Sequence, residues 1–183
     1  MFDRGKKEKL LLHSCCAPCS IYVINQLTEK FDLAVYFFNP NIYPEEEYLL
    51  RLAEVKNYCR QRKIPYYDQN YNNQQWLKYI SGYETEPEKG FRCELCIRHR
   101  LNQTAKFARE NDFQWFATTL TSGRKKNSLQ ILKIGHKIEN KQGVKFLAQD
   151  FKKNYGTQIS DWLAKQLDLY KQKYCGCVFS KKV

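Results

Sequence analysis

No glycine-rich phosphate loop occurs in these 183 residues: both Gly-x-Gly-x-x-Gly and the P-loop pattern are missing. The first strand-to-helix turn, where such a loop belongs, contains no glycine at all. A turn built only from residues with side chains keeps phosphates away from its backbone, which argues against nucleotide binding at the usual place. Long apolar runs are missing as well. No stretch reaches the length of a membrane span, and Leu10-Leu11-Leu12 near the start is too short for the core of a secretory signal. A soluble, cytoplasmic protein with no membrane partner is expected. Repeats, low-complexity segments and linkers are absent, so residues 1–183 read as one domain. Acidic residues are scarce: 19 Asp and Glu against 31 Lys and Arg leave a formal net charge of +12. That excess favours a polyanionic partner such as nucleic acid, although a merely solvated basic surface gives the same count.

Cysteine is present in a telling arrangement. Seven of eight fall into three knots: Cys15, Cys16 and Cys19; Cys93 and Cys96; Cys175 and Cys177. In a reducing compartment such groups are ligands or redox thiols before they are structural disulfides. The first knot follows a strand and opens a helix, and the second also opens a helix beside Arg92, so both sit where thiolates are favoured. Together they offer five thiols, whereas a tetrahedral zinc or a cubane cluster uses at most four. The spare thiol points to a second metal or to an iron kept partly open. In an extended turn Cys15 and Cys16 are expected to diverge. A closed structural zinc site and a Cys16-Ala17-Pro18-Cys19 redox pair are the competing readings. Cys175 and Cys177 could cap the metal site, form a redox pair or local disulfide, or be plain tail thiols. Cys59 shares a helical stripe with Tyr48, Leu52 and Val55 and reads as core.

The elements read as a parallel α/β pattern. Expected strands are Lys9–Ser14, Leu33–Phe38, Ile64–Tyr67, Phe113–Thr118 and Val144–Ala148. Expected helices cover Ser20–Lys30, Pro44–Arg62, Trp76–Ile80, Cys93–Asn111, Asn127–His136 and Thr157–Tyr170. The last carries Ile159, Trp162, Leu163, Leu167 and Tyr170 on one face. A strand order of 3-2-1-4-5 would place the first cysteine knot and the loop Thr118, Thr119, Thr121 and Ser122 around one crevice at the carboxyl edge. Tyr43, Tyr83 and Glu84 lie in loops that could roof it.

His13 is a candidate ligand or acid, with a backbone-bonded strand-end histidine as the plainer reading. His99 and His136 have no evident partner. Asp150 sits at a strand end, as a functional carboxylate or as a partner of the lysines after it. Arg98, Arg100, Arg124, Lys125, Lys126, Lys152 and Lys153 are candidate phosphate contacts.

Taken together, His13-Ser14-Cys15-Cys16-Ala17-Pro18, Phe38-Asn39-Pro40-Asn41-Ile42-Tyr43-Pro44, Arg92-Cys93-Glu94-Leu95-Cys96, Thr118-Thr119-Leu120-Thr121, Asp150-Phe151-Lys152-Lys153 and Tyr174-Cys175-Gly176-Cys177 resemble the QueH-type epoxyqueuosine reductase family. The resemblance spans nearly the whole chain. It implies a Rossmann-like, nucleotide α-hydrolase-like α/β fold and the reduction of the epoxide of epoxyqueuosine, at the tRNA wobble position, to the alkene. It also implies a [4Fe–4S] cluster with an adjacent iron ion, no cobalamin, and an electron donor such as a ferredoxin or flavodoxin. On this reading Cys16, Cys19, Cys93 and Cys96 hold the cluster and Cys15 binds the adjacent iron, with Cys15 and Cys16 able to exchange roles. The nearest competitors are an iron–sulfur tRNA thiolation enzyme, which would need ATP, and a zinc-stapled RNA-binding module without catalysis.

Overall fold

The computed structural model describes residues 7–181. In chain order the elements are β1 (Lys9–His13), α1 (Ala17–Thr28), β2 (Asp32–Phe37), α2 (Glu45–Gln61), β3 (Tyr66–Asp68), α3 (Asn73–Tyr79), α4 (Phe91–Glu110), β4 (Trp115–Thr118), α5 (Ser128–Gln142), β5 (Lys145–Phe146) and α6 (Gly156–Gln166). The strands form one sheet in the order β3-β2-β1-β4-β5, with every neighbouring pair parallel. This is the expected 3-2-1-4-5 arrangement.

β1 lies at the centre of the sheet, which explains why it is apolar at consecutive positions instead of alternating. Leu10 and Leu12 pack on the side that also buries Val23, Leu27, Val55 and Cys59. Leu11 faces the opposite layer, with Ile97, Leu101 and Ile131. Between β1 and β4 the chain reverses its direction of travel across the sheet. There His13 pairs in register with Thr118, so the first cysteine knot and the hydroxyl-rich 3-10 turn Thr119–Ser122 emerge side by side.

Two helix ends depart furthest from expectation. α5 runs six residues past His136, because Ile138 is still buried, and it stops at Gly143, whose φ of 71° suits glycine. α6 ends at Gln166, and most of its apolar stripe does not face the core: Trp162 is 60% exposed, and Ile159 and Leu167 are exposed too, while Leu163 packs inward. The helix instead buries Gly156, Ser160 and Ala164. A β-carbon on Gly156 would lie 2.0 Å from the Phe151 carbonyl oxygen and 2.9 Å from the Tyr22 ring, so small residues set this close approach. The chain after α6 does not continue as helix. It crosses back over the carboxyl edge of the sheet as an irregular tail.

Candidate metal centre

The turn between β1 and α1 is held by its own backbone partners. Ser14 donates its N–H to Tyr36 O, and Asn39 Nδ2 donates to Ser14 O at 2.9 Å. Ser20 Oγ donates to Cys16 O at 2.6 Å, and Ser122 Oγ donates to Cys19 O at 3.0 Å. Cys16 is the N-cap residue of α1 in extended conformation, and the first helical turn carries no acidic residue. The free N–H groups and positive dipole end of α1 therefore meet the thiols. The sulfur atoms of Cys15, Cys16 and Cys19 all lie within 4.8 Å of one another. The extended turn thus does not splay Cys15 from Cys16. Their sulfurs are 3.8 Å apart, and Cys15 Sγ is 3.7 Å from Thr119 Oγ1.

These neighbours divide the three thiols. Hydrogen bonds from Cys16 and Cys19, helped by Arg100 and His13, hold the Cys15 thiol well below the usual thiol range. Their bonds to Cys15, together with burial, push Cys16 and Cys19 up. His13 is fully buried, with Nδ1 2.9 Å from Thr118 Oγ1 and Nε2 3.2 Å from Phe38 O. Burial, and then the Arg100 charge, depress it to about 3. It is a neutral strand-end residue with both ring nitrogens engaged.

Cys93 and Cys96 stand outside this trio. Among the described residues, the trio is the one group of at least three cysteine, histidine or acidic ligand atoms within that distance. Cys93 Sγ accepts the Lys89 N–H at 3.2 Å. Burial pushes the Cys96 thiol up to about 11, opposed by Arg100 and Lys126 and reinforced by Cys175. Arg100 thus acts on both Cys15 and Cys96, so the two knots border one region.

That region is a cavity of about 800 Å³, whose wall includes Cys15, Cys19, Arg100, Lys126 and Cys175. Its roof is not Tyr43, Tyr83 and Glu84, as expected, but the tail Tyr170–Cys175 together with Glu88. Tyr83 and Glu84 accept hydrogen bonds from the buried Arg92 through their carbonyls and tie the preceding loop to α4. Tyr43 O accepts the Tyr174 hydroxyl.

The tail is fastened by a buried pair within α2. Arg51 is 2% exposed and is paired with Glu47 at 2.6 Å. Its Nη1 and Nη2 donate to Cys175 O and Tyr174 O, both at 3.2 Å. Glu47 Oε2 accepts the Tyr170 hydroxyl at 2.8 Å, and Glu54 accepts the Tyr170 N–H. Gly176, at φ 126°, lets the backbone pass where a β-carbon would come within 3.2 Å of Arg51 Nη1.

A local disulfide between Cys175 and Cys177 does not form; both are free thiols. The anchored loop gives them different surroundings. Cys175 Sγ faces the cavity and accepts from Lys126 Nζ at 2.8 Å. Cys177 is buried with Trp76 and Ile80, and its sulfur is 3.5 Å from Ser180 Oγ. For Lys126, burial opposes the charge, but the Cys175 sulfur outweighs it and the net direction is upward.

The remaining candidates scatter. Arg100 is buried and donates to Asn39 Oδ1 at 2.6 Å, so it belongs to the wall and not to a solvent-facing phosphate surface. Lys126 is likewise a wall residue. Arg124 and Lys125 line the cavity, with Arg124 paired to Asp161. Arg98 lies away from the cavity in an i, i+4 pair with Glu94. Lys152 Nζ donates to Lys126 O, and Lys153 is exposed. Asp150 accepts the Lys152 N–H and caps its own turn. His99 lies between the tilted rings of Phe38 and Tyr79, and His136 pairs with Glu139 at the surface. Cys59 is core, as expected, with its thiol pushed to about 12 by burial. Sequence reading missed Arg51, Glu47 and Gln172. Arg51 did leave a signal: it interrupts the apolar stripe formed by Tyr48, Leu52, Val55 and Cys59.

Three soft donors beside a helix N-terminus and buried cations suit an iron–sulfur or thiolate-rich metal centre. Residues 10–183 match the family model described as "Epoxyqueuosine reductase QueH". An epoxyqueuosine reductase QueH from Staphylococcus epidermidis is 38% identical over 96% of this chain and 77% of its own length. The QueH from Histophilus somni is 40% identical over 94% and 72%. Among solved structures, the U34-tRNA thiolase NcsA from Methanococcus maripaludis, determined with its [4Fe–4S] cluster, superposes with a TM-score of 0.57 at 16% identity. It is matched over 97% of this chain and 62% of its own length, a likeness of fold. The chain belongs to the QueH family of epoxyqueuosine reductases.

Proposed function

We propose that this protein reduces the epoxide of epoxyqueuosine in tRNA to the alkene of queuosine, using an iron–sulfur cluster and a neighbouring iron ion. The observation that carries this reading is the convergence of three thiols, two of them on the wall of a large cationic cavity, at the carboxyl edge of the sheet. The reaction takes up two electrons and two protons and releases the epoxide oxygen as water, leaving a carbon–carbon double bond. A bound cluster would supply the electrons, and an iron with an open position would act as a Lewis acid toward the oxygen.

The protein's own residues do the rest. Cys16, Cys19, Cys93 and Cys96 are assigned to the cluster and Cys15 to the second metal. Arg100 and Lys126 bring positive charge to the wall where negative charge develops on the oxygen. His13 stays neutral and fixes the end of β1 against Thr118 and Phe38, which sets the direction of the knot that follows. Lys125, Lys171, Lys173 and Lys181 line the cavity and are positioned for the phosphates of an RNA loop. The same positive rim suits an acidic electron carrier such as a ferredoxin or flavodoxin.

The test is anaerobic reconstitution with iron and sulfide, chemical reduction, and incubation with epoxyqueuosine-containing tRNA. Nucleoside mass spectrometry should show the substrate replaced by a product lighter by one oxygen atom, without ATP. A colourless protein holding only zinc and converting nothing would overturn the reading.

A further inference from the structure

The cavity wall is strongly cationic but not wholly so. It carries eight arginine and lysine residues and two carboxylates, Glu88 and Asp161. Asp161 comes from α6, and its two oxygens are divided between cations from two other segments. Oδ2 accepts from Arg124 Nη2, in the loop after the turn Thr119–Ser122. Oδ1 accepts from Lys171 Nζ, in the tail, at 3.2 Å. All three residues line the cavity. The Arg124 and Lys171 side chains are 65% and 70% exposed and that of Asp161 is 31% exposed, so a ligand can reach every member of the group.

Stability does not account for this arrangement. Exposed ion pairs contribute little, because water and salt screen them. Nor is the group needed to hold the tail, which Arg51, Glu47 and Glu54 already fasten from α2. A carboxylate on a surface that receives a polyanion also opposes binding by like charge. The form of the contact does account for it. A phosphodiester presents two non-bridging oxygens, and each can take one cation, as the Asp161 oxygens do. A guanidinium suits phosphate at least as well as carboxylate. The place is apt too. Lys171 is followed by Gln172, whose Nε2 donates to Cys16 Sγ at 2.9 Å, so this part of the tail lies beside the thiols.

We propose that Arg124 and Lys171 form the subsite for one backbone phosphate of the tRNA loop. Asp161 fills this subsite in the free protein and leaves it as the phosphate enters. The proposal rests on the reading that the cavity receives a tRNA nucleotide. It gives the rim a means of discrimination. A lone anion must displace Asp161 with two contacts and nothing else. A phosphate attached to a nucleotide already in the cavity arrives at high effective concentration and displaces it readily.

The test uses proteins reconstituted anaerobically with iron and sulfide. Kd for labelled epoxyqueuosine-containing tRNA is measured by fluorescence anisotropy at several salt concentrations. Asp161→Asn keeps the shape and removes the competing charge. It should bind about 2- to 30-fold more tightly at low salt. Its log–log salt slope should steepen by about 0.7–0.9. Arg124→Gln combined with Lys171→Gln should bind more weakly and flatten the slope. Glu110→Gln controls for net charge: it frees Lys106, 3.9 Å away at the far end of α4, and should leave Kd within twofold of wild type. Unchanged or weaker binding by Asp161→Asn would mean that the carboxylate orients the two cations instead of standing in for a phosphate, and overturns the proposal. Equal tightening by Glu110→Gln overturns it as well, since the effect is then one of net charge. Wild-type conversion, followed by nucleoside mass spectrometry, tests the underlying reading separately. Conversion without a gain in Asp161→Asn sinks the subsite alone. A wild type that neither binds nor converts the tRNA overturns both, and one that binds without converting overturns the reading while the Kd values still decide the subsite.

Discussion

Replacing Arg51 with Met should release the tail from the cavity and cost the protein about 3 kcal/mol. Arg51 is buried, and three groups depend on it: the Glu47 carboxylate and the carbonyls of Tyr174 and Cys175. Removing one member of a buried ion pair costs about 3–5 kcal/mol, because the other charge is left unpaired. Here Glu47 is 11% exposed and keeps the Tyr170 hydroxyl, which places the loss at the lower end. The two carbonyls would add about 1–3 kcal/mol each if they stayed buried. They need not stay buried, since water satisfies them once the tail lifts. Peeling therefore caps the global loss and becomes the main structural response. Urea unfolding gives the first quantity, and hydrogen exchange over residues 167–181 gives the second. Cys16, freed from Gln172, should also become open to alkylation. A loss under about 1 kcal/mol with tail protection unchanged would refute the claim that Arg51 fastens this segment.

The RNA surface makes a contrasting pair of predictions. Lys173→Glu, at the cavity rim, should weaken tRNA binding and flatten its salt dependence by about 0.7–0.9 in the log–log slope, as titrations at several salt concentrations would show. Arg98→Ala, paired with Glu94 away from the cavity, should leave both unchanged. His13 predicts a pH effect in the metal-free protein. Folded, it stays neutral down to about pH 3, whereas the unfolded chain takes up its proton below 6.5. The unfolded state thus binds more protons across that window. Stability is complete above pH 6.5 and is lost as pH falls, by at most about 1.4 kcal/mol per unit from this group. Urea midpoints across the window should show the slope, and His13→Gln should remove it.

The sheet order was legible because it follows from local signals. Leu10-Leu11-Leu12 could only be a strand covered on both faces, and alternation with helices forced parallel neighbours. The trio was legible because its members are adjacent in the chain. Other features depend on long-range packing that no local pattern carries. α6 shows an apolar stripe that would normally face inward, yet Gly156 and Ala164 allow a closer approach on the other face, and all of the stripe but Leu163 is left largely outside. Arg51 interrupts an apolar stripe, but nothing local says what it bonds, since the tail it fastens begins more than a hundred positions later. Lys126 and Arg100 read as phosphate contacts because basic residues usually are exposed. Their burial is set by Cys175 and Asn39, which spacing does not connect to them.

That burial has a consequence of its own. Among the described residues neither Arg100 nor Lys126 has a carboxylate within ion-pair distance. Two desolvated cations without anions are a net cost, unless negative charge is brought to them. The available source is sulfur: Cys15 and Cys96 lie close enough to feel Arg100, and Cys175 is bonded to Lys126. Thiols bound to a metal centre are obligatorily deprotonated, so loading the site supplies the missing charge. Arg100→Met should accordingly behave differently in the two forms. In the metal-free protein it faces only part of that charge, from the Cys15 thiol held low beside it, so its removal should be near neutral in thermal unfolding. In the loaded protein it removes the counter-charge to the thiolates, and iron retention against a chelator should fall. Equal destabilisation of both forms would mean that Arg100 serves only to pack Asn39 in place.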